Sequence, residues 1–267
     1  MKRIRFPEIF CKIPSKGMAF SMVLLLGTIL TAYIVVLGAY AQGPPPGAPA
    51  SQSDPRLAAL TDRWWRWILS LDTTLEPNPF TTTYEGDCSQ LIQGNTMFLV
   101  GQVGGGGGEQ PVHHGTCIVP SGTSILFPLV NFINADCTSN QQQGRPEGLC
   151  TSEMQTPALG QPFADLREEG NTFINQVTSL EATIEVAGEV MPLEAVRVQS
   201  PPGGFGVRVS PHNALFGELP FDTVSLHAVA DGYWVLLPPL SPGEYTLTFG
   251  ACSPAGCQTN IYTLIVQ

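Results

Sequence analysis

The stretch VGGGGGEQPVHHGTC, residues 103–117, sets five glycines ahead of His113, His114 and Cys117. Three chemistries compete for it: a phosphate cradle, a metal site and a plain loop. The nucleotide loop is excluded. A G-x-G-x-x-G register begun at Gly104, Gly105 or Gly106 ends on Glu109, Gln110 or Pro111, and G-x-x-x-x-G-K needs a lysine where the last one is Lys16. Five glycines leave the backbone almost unrestricted at high entropic cost, which suits an exposed connection between strands. Imidazole suits copper or zinc, and Glu109 could add a carboxylate, so His113 and His114 are the candidate metal ligands. Adjacent residues of an extended segment point to opposite sides, however, and only His212 and His227 remain elsewhere. The expectation is a solvated loop, with metal binding and proton transfer as the alternatives.

Other reaction classes find less support. There is no G-x-S-x-G and no H-E-x-x-H. All seven basic residues beyond Ala41 are arginine, which removes Schiff-base and general-base lysines from that part. A glycosidase pair of carboxylates meets only in the fold, and Asp222, Asp231, Glu181 and Glu185 are its candidates. Glu181 and Glu185 read as the solvated side of a strand, and Asp231-Gly232 reads as a turn feeding a Tyr233-Trp234 strand. Calcium would need a D-x-D-x-D-G loop, which is missing. No catalytic residue is assigned and no cofactor is expected.

Charge and cysteine point to export. Lys2, Arg3, Arg5, Lys12 and Lys16 precede an uncharged run from Gly17 to Ala41. That run reads as a signal peptide cut after Ala39-Tyr40-Ala41, or as an anchor, since about 20 residues span a bilayer. Either way the basic end stays inside and the rest is extracellular or at the cell surface, meeting membrane only through that segment if it is uncleaved. Of 12 basic and 22 acidic residues, five and one lie in residues 1–41, leaving 7 and 21 beyond, a net of −14. Such a balance argues against nucleic acid as a partner, because phosphate binding needs clustered Lys and Arg. Cys11 stays on the inner side, and Cys88, Cys117, Cys137, Cys150, Cys252 and Cys257 are exported. Six cysteines allow 15 pairings; the expectation is the sequential one, with Cys88–Cys117, Cys137–Cys150 and Cys252–Cys257. Zinc is the rival reading, weakened by the lack of any C-x-x-C.

The elements that must position these groups follow from periodicity. GPPPGAPASQS, residues 43–53, falls in a Pro/Gly-rich linker over 42–53. In DPRLAALTDRWWRWILSL, Asp54 can cap and Pro55 suits the first helical position, while Leu57, Leu60, Trp64, Trp67, Ile68 and Leu71 share one face. Asp62 and Arg66 fall four apart on its surface, and Trp64 and Trp67 read as core packing instead of a sugar-stacking or membrane-interface platform. A second helix is expected over 161–177, with Phe163, Leu166, Phe173, Ile174 and Val177 inward, Glu168 and Glu169 solvated and Gly170 a weak point. Strands are expected in NTMFLVG, GTCIVP and SILFPLVNFI, and beyond residue 178 in TSLEATIEV, GFGVRVS, DGYWVLLPPL, GEYTLTFGA and NIYTLIVQ. The fold class is thus mainly β, an antiparallel sandwich with one N-terminal amphipathic helix and one middle helix. Residues 54–267 form the exported β-rich domain, with a possible subdivision near 157–178.

RWWRWILSL, GDCSQLIQGNTMFLVG, CIVPSGTSILFPLVN, VADGYWVLLPPLSPGEYTLTFGA and the final IYTLIV together resemble a family of uncharacterised exported microbial proteins. The likeness spans roughly residues 60 to 267, and it implies an Ig-like sandwich in the C-terminal half, with no reaction and no catalytic residues to carry over. Relatives have a shorter Gly-rich stretch followed by Arg before the cysteine; His113 and His114 stand here instead, which argues against a family-wide site. The favoured function is a non-catalytic binding or structural module for an extracellular ligand or protein. The alternatives are a secreted hydrolytic or metal-dependent enzyme with a site assembled from separated residues, and an envelope or filament subunit.

Overall fold

The computed structural model of the chain describes residues 55–80, 83–101, 112–136, 163–215, 217–218, 224–253 and 256–267. Two six-stranded sheets stack over a shared core, and one helix covers the far side of the second sheet. In the first sheet, β1 (Glu85–Asp87), β4 (His113–Val119), β14 (Gly256–Val266), β13 (Gly243–Ser253), β6 (Ser179–Val186) and β7 (Glu189–Pro192) lie side by side in that order. The second sheet runs β2 (Ile92–Gln93), β3 (Thr96–Phe98), β5 (Ser124–Asp136), β12 (Val224–Leu237) and β8 (Val196–Gln199), with β9 (Phe205–Val209) also paired to β12. A small hairpin joins β10 (His212–Asn213) to β11 (Gly217–Glu218).

A mainly β sandwich with two helices is what the alternating patterns predict, but the expectation of purely antiparallel sheets needs correcting. The pairs β1–β4, β4–β14 and β3–β5 are parallel. The chain crosses from one sheet to the other between β3, β4 and β5, so spatial neighbours are not sequence neighbours. Period-two patterning reports which face a residue takes, and carries no information about strand direction.

Helix α1 (Pro55–Ser70) buries Leu57, Leu60, Trp64, Trp65, Ile68 and Leu69 on the second sheet. Trp64 lies edge-on to Trp234, ring centres 5.4 Å apart, and its indole N–H donates to the Leu99 carbonyl at 2.9 Å. Asn213 closes the other end of the helix: its side-chain amide donates to the Ile68 and Leu69 carbonyls, two of the acceptors a helix C-terminus leaves unpaired. The tryptophans are core, as expected, although Trp65 is also buried and Trp67 only partly so. Asp62 and Arg66 do not form the simple surface pair their spacing suggests. Arg66 instead donates to the Gly206 carbonyl at 2.9 Å and stacks 5.5 Å above the Phe205 ring.

Helix α2 (Phe163–Ile174) lies against β5 and β12, with Leu166 and Ile174 fully buried and Val177 just beyond it. Gly170 is its contact point. A Cβ there would stand 3.1 Å from the Phe132 ring, so the glycine that weakens helix propensity is what lets the helix reach the sheet.

The β5–β12 pairing slips one residue between Tyr233 and Trp234, whose partners are Val130 and Pro128. Pro128 has no N–H for the ladder, and this bulge turns both Leu129 and Val130 into the core. Two disulfides form as expected, the buried Cys88–Cys117 and the cross-strand Cys252–Cys257. Cys137 and Cys150 lie outside the described residues, as do the linker, the basic N-terminus with its uncharged run, and Gly104–Gly108. Among the described residues, no helix is long and apolar enough to cross a membrane.

Candidate functional site

Among the described residues, a cluster of buried polar side chains sits where α2 meets the inner face of the second sheet. Along β12, Asp231, Tyr233 and Val235 point toward the shared core while Trp234 points toward α1, so Asp231 belongs to the inner row. Its partners in β8 are fixed by register: Gln199 opposite Asp231, and Arg197 opposite Tyr233. Arg197 grips Asp231 with both arms, Nε to one carboxylate oxygen at 3.0 Å and an η nitrogen to the other at 2.6 Å. Two further N–H groups go to Asn171 and Asn175, both at 2.7 Å, one turn apart along and just past α2. Gln199 adds a third hydrogen bond to Asp231 at 2.8 Å.

Arg197 and Asp231 are only 5% and 4% exposed, so each depends on the other for its charge. Burial pulls the Arg197 pKa down, but the hydrogen bonds and charge of Asp231 more than offset it and the net direction is up. The neighbouring Tyr233 hydroxyl favours the cation too, although it makes no hydrogen bond of ordinary geometry. Beside the pair, Phe132, Leu166, Arg167, Gly170 and Gln199 line a cavity of about 10 Å³, room for about one water. Arg167 covers its rim, donating to the Pro201 carbonyl at 3.0 Å and to the Ser200 carbonyl. The cluster ties α2 to the sheet.

This placement corrects the reading of Asp231-Gly232 as a turn. Both lie in the middle of the fourteen-residue strand β12, and a Cβ at Gly232 would stand 2.7 Å from the Val130 carbonyl oxygen. Of the four carboxylates proposed for a glycosidase, the three described ones do not converge. Glu181 and Glu185 are exposed on the outer face of the first sheet, Asp231 is buried in the second, and Asp222 lies outside the described residues. Glu169, expected to be solvated, accepts a hydrogen bond from Asn134 at 2.6 Å.

The paired histidines open strand β4 and, being adjacent, face opposite ways: His113 is half-buried toward the core and His114 is exposed. The Tyr262 hydroxyl donates to the Val100 carbonyl at 3.0 Å, so it accepts from His113 Nε2 at 3.0 Å, and His113 carries its proton on Nε2. Burial, and then the neighbouring His114, hold the His113 pKa below the ordinary histidine value. The pair is therefore not a solvated loop and does not present two imidazoles to one ion. Among the described residues, no three His, Cys, Asp or Glu side chains gather to share a metal.

The outer face of the first sheet presents half-buried and exposed side chains. Residues alternate in register across it: Glu85, Thr116, Thr263, Thr246, Glu185 and Val190 form one row from β1 to β7. Asp87, Ile118, Ile265 and Glu244 form the next row, and His114, Ile261, Thr248 and Thr183 the row on the other side. Among the described residues, neither helix packs on this face: α1 lies against β8, β9, β10 and β12, and α2 against β5 and β12. Its last strand, β7, is exposed along its whole length, with Val190 60% exposed.

Arg197, Asn171, Asn175 and Gln199 escaped the sequence reading because no local motif links them. The only available signal was Arg197 and Gln199 alternating with Val196 and Val198.

No family model matches the chain, and no curated protein is similar to it. Among solved structures, that of PbICP-C in complex with falcipain-2 is similar at 10% identity, over 65% of this chain and 100% of that one. Its TM-score is 0.24, too low to bear on fold or function.

Proposed function

We propose that the chain is an exported, surface-tethered, non-catalytic β-sandwich protein that binds an extracellular ligand or protein. The observation carrying this reading is the outer face of the first sheet, where Thr116, Thr263, Thr246, Ile118, Ile261 and Ile265 stand in register and, among the described residues, neither helix lies over them. A broad, weakly polar surface of that kind suits recognition of another surface. Export is supported by the two disulfides, which persist in oxidising compartments, and by the basic, then uncharged, N-terminal sequence.

The test is a photo-crosslinking residue in place of Thr263, with one in place of the exposed Glu168 on α2 as control, in intact cells producing the full chain. A discrete adduct at position 263 but not at 168, in material that external protease can reach, is expected. Loss of the site-263 adduct, or protection from external protease, rejects the proposal.

A further inference from the structure

We infer that the outer face of the first sheet docks a basic protein surface, one whose Lys and Arg side chains reach both flanks of an uncharged stripe. This inference rests on the binding role proposed above and names the chemistry of the partner. The stripe is set by register: Thr116, Thr263 and Thr246 in one row, Ile118 and Ile265 in the next, Ile261 and Thr248 in the third. Isoleucine gains on leaving water, and a threonine hydroxyl is covered without loss where the partner hydrogen-bonds it, so the centre of the face can be covered without stranding a charge.

Both flanks are acidic. Glu85 and Asp87 on β1 line one side; Glu181 and Glu185 on β6, with Glu244 on β13, line the other. All five are exposed. No Lys or Arg occupies any position of the rows from β1 to β7, and His114 is the one group there that can take a positive charge. β1 and β6 are four strand spacings apart, about 19 Å at about 4.8 Å each, a separation that two basic groups on one protein surface can match.

An uncharged centre with a charged rim is the usual anatomy of a reversible interface, and rim charges steer the encounter. The same arrangement disfavours a second copy as occupant, because a like face would set carboxylates against carboxylates in an exported part of net charge −14.

The experiment uses the oxidised full chain and a fluorescent ten-residue oligolysine at low salt, where such attraction is least screened. Three proteins are compared by anisotropy. They are the wild type, a face variant Glu181→Gln/Glu185→Gln/Glu244→Gln, and a control Glu76→Gln/Glu168→Gln/Glu218→Gln that removes the same charge from exposed sites elsewhere. The expected result is a Kd raised about tenfold or more in the face variant and less than about threefold in the control. Equal losses in the two variants, or no binding by the wild type, overturn the inference; an adduct at position 263 would still uphold the binding role. Concentration-dependent self-association that strengthens in the face variant also overturns it, in favour of a second copy.

Discussion

Arg197 and Asp231 show how a buried charge becomes a structural fixture. Neither can be moved out of water alone, yet Asp231, Asn171 and Asn175 together take four of the five guanidinium N–H groups, and Gln199 adds a donor to the carboxylate. Removing one partner strands the other charge. Arg197→Met should therefore cost about 3–5 kcal/mol, whereas Arg197→Met/Asp231→Leu should cost clearly less than either single change. Urea unfolding of the four proteins of that cycle measures the difference, and additive losses would mean the pair is not coupled. The sequence could not announce this site. Its members come from α2 and its C-terminal edge, from β8 and from β12, and their meeting depends on the register of β8 against β12. His113 is the opposite case. Its type was legible as chemistry, but the tertiary contact with Tyr262 gives it a packing role and a fixed tautomer.

At the scale of elements, α1 was the most legible part, because an apolar face with a helical period can be buried in only one way. Its charged residues were less so. Asp62 reads as a solvated partner of Arg66, yet it is half-buried, and desolvation pushes its pKa up to about 6 against the opposing charge of Arg66. A carboxyl whose folded pKa is raised favours the folded state when protonated. That contribution is complete below the unfolded value and is lost as pH rises through about 6. Asp62→Asn should therefore raise the melting temperature at pH 7.5 and change it little near pH 3.5, where the native carboxyl is already neutral. Melting curves of both proteins at the two pH values check this; an equal shift at both would place the effect in packing instead. The β-strands were legible by position, since alternation survives in β6, β9 and β14. Their partners were not, which is how Asp231-Gly232 came to look like a turn.

For the whole molecule, the disulfides illustrate how order in sequence and position in the fold divide the work. Cys88–Cys117 closes 29 residues inside the core, tying the segment after β1 to β4, while Cys252–Cys257 closes 5 at the end of the β13–β14 hairpin. Loop-closure entropy alone makes the first worth about 3–4 kcal/mol and the second about 2 kcal/mol. The buried sulfurs of the first add packing on top. Cys88→Ala/Cys117→Ala should thus lower stability more than Cys252→Ala/Cys257→Ala, by denaturant unfolding under oxidising conditions; the reverse order would show that the hairpin tip holds the sandwich together. By itself the sequence determined the β-rich class, the two helices and the acidic, lysine-free composition beyond Ala41, because composition and period act locally. Only the tertiary structure decided the parallel pairings, the Arg197–Asp231 cluster and the Thr/Ile face with its acidic flanks. Those depend on which strands become neighbours, and that choice is made by burying the faces of all of them at once.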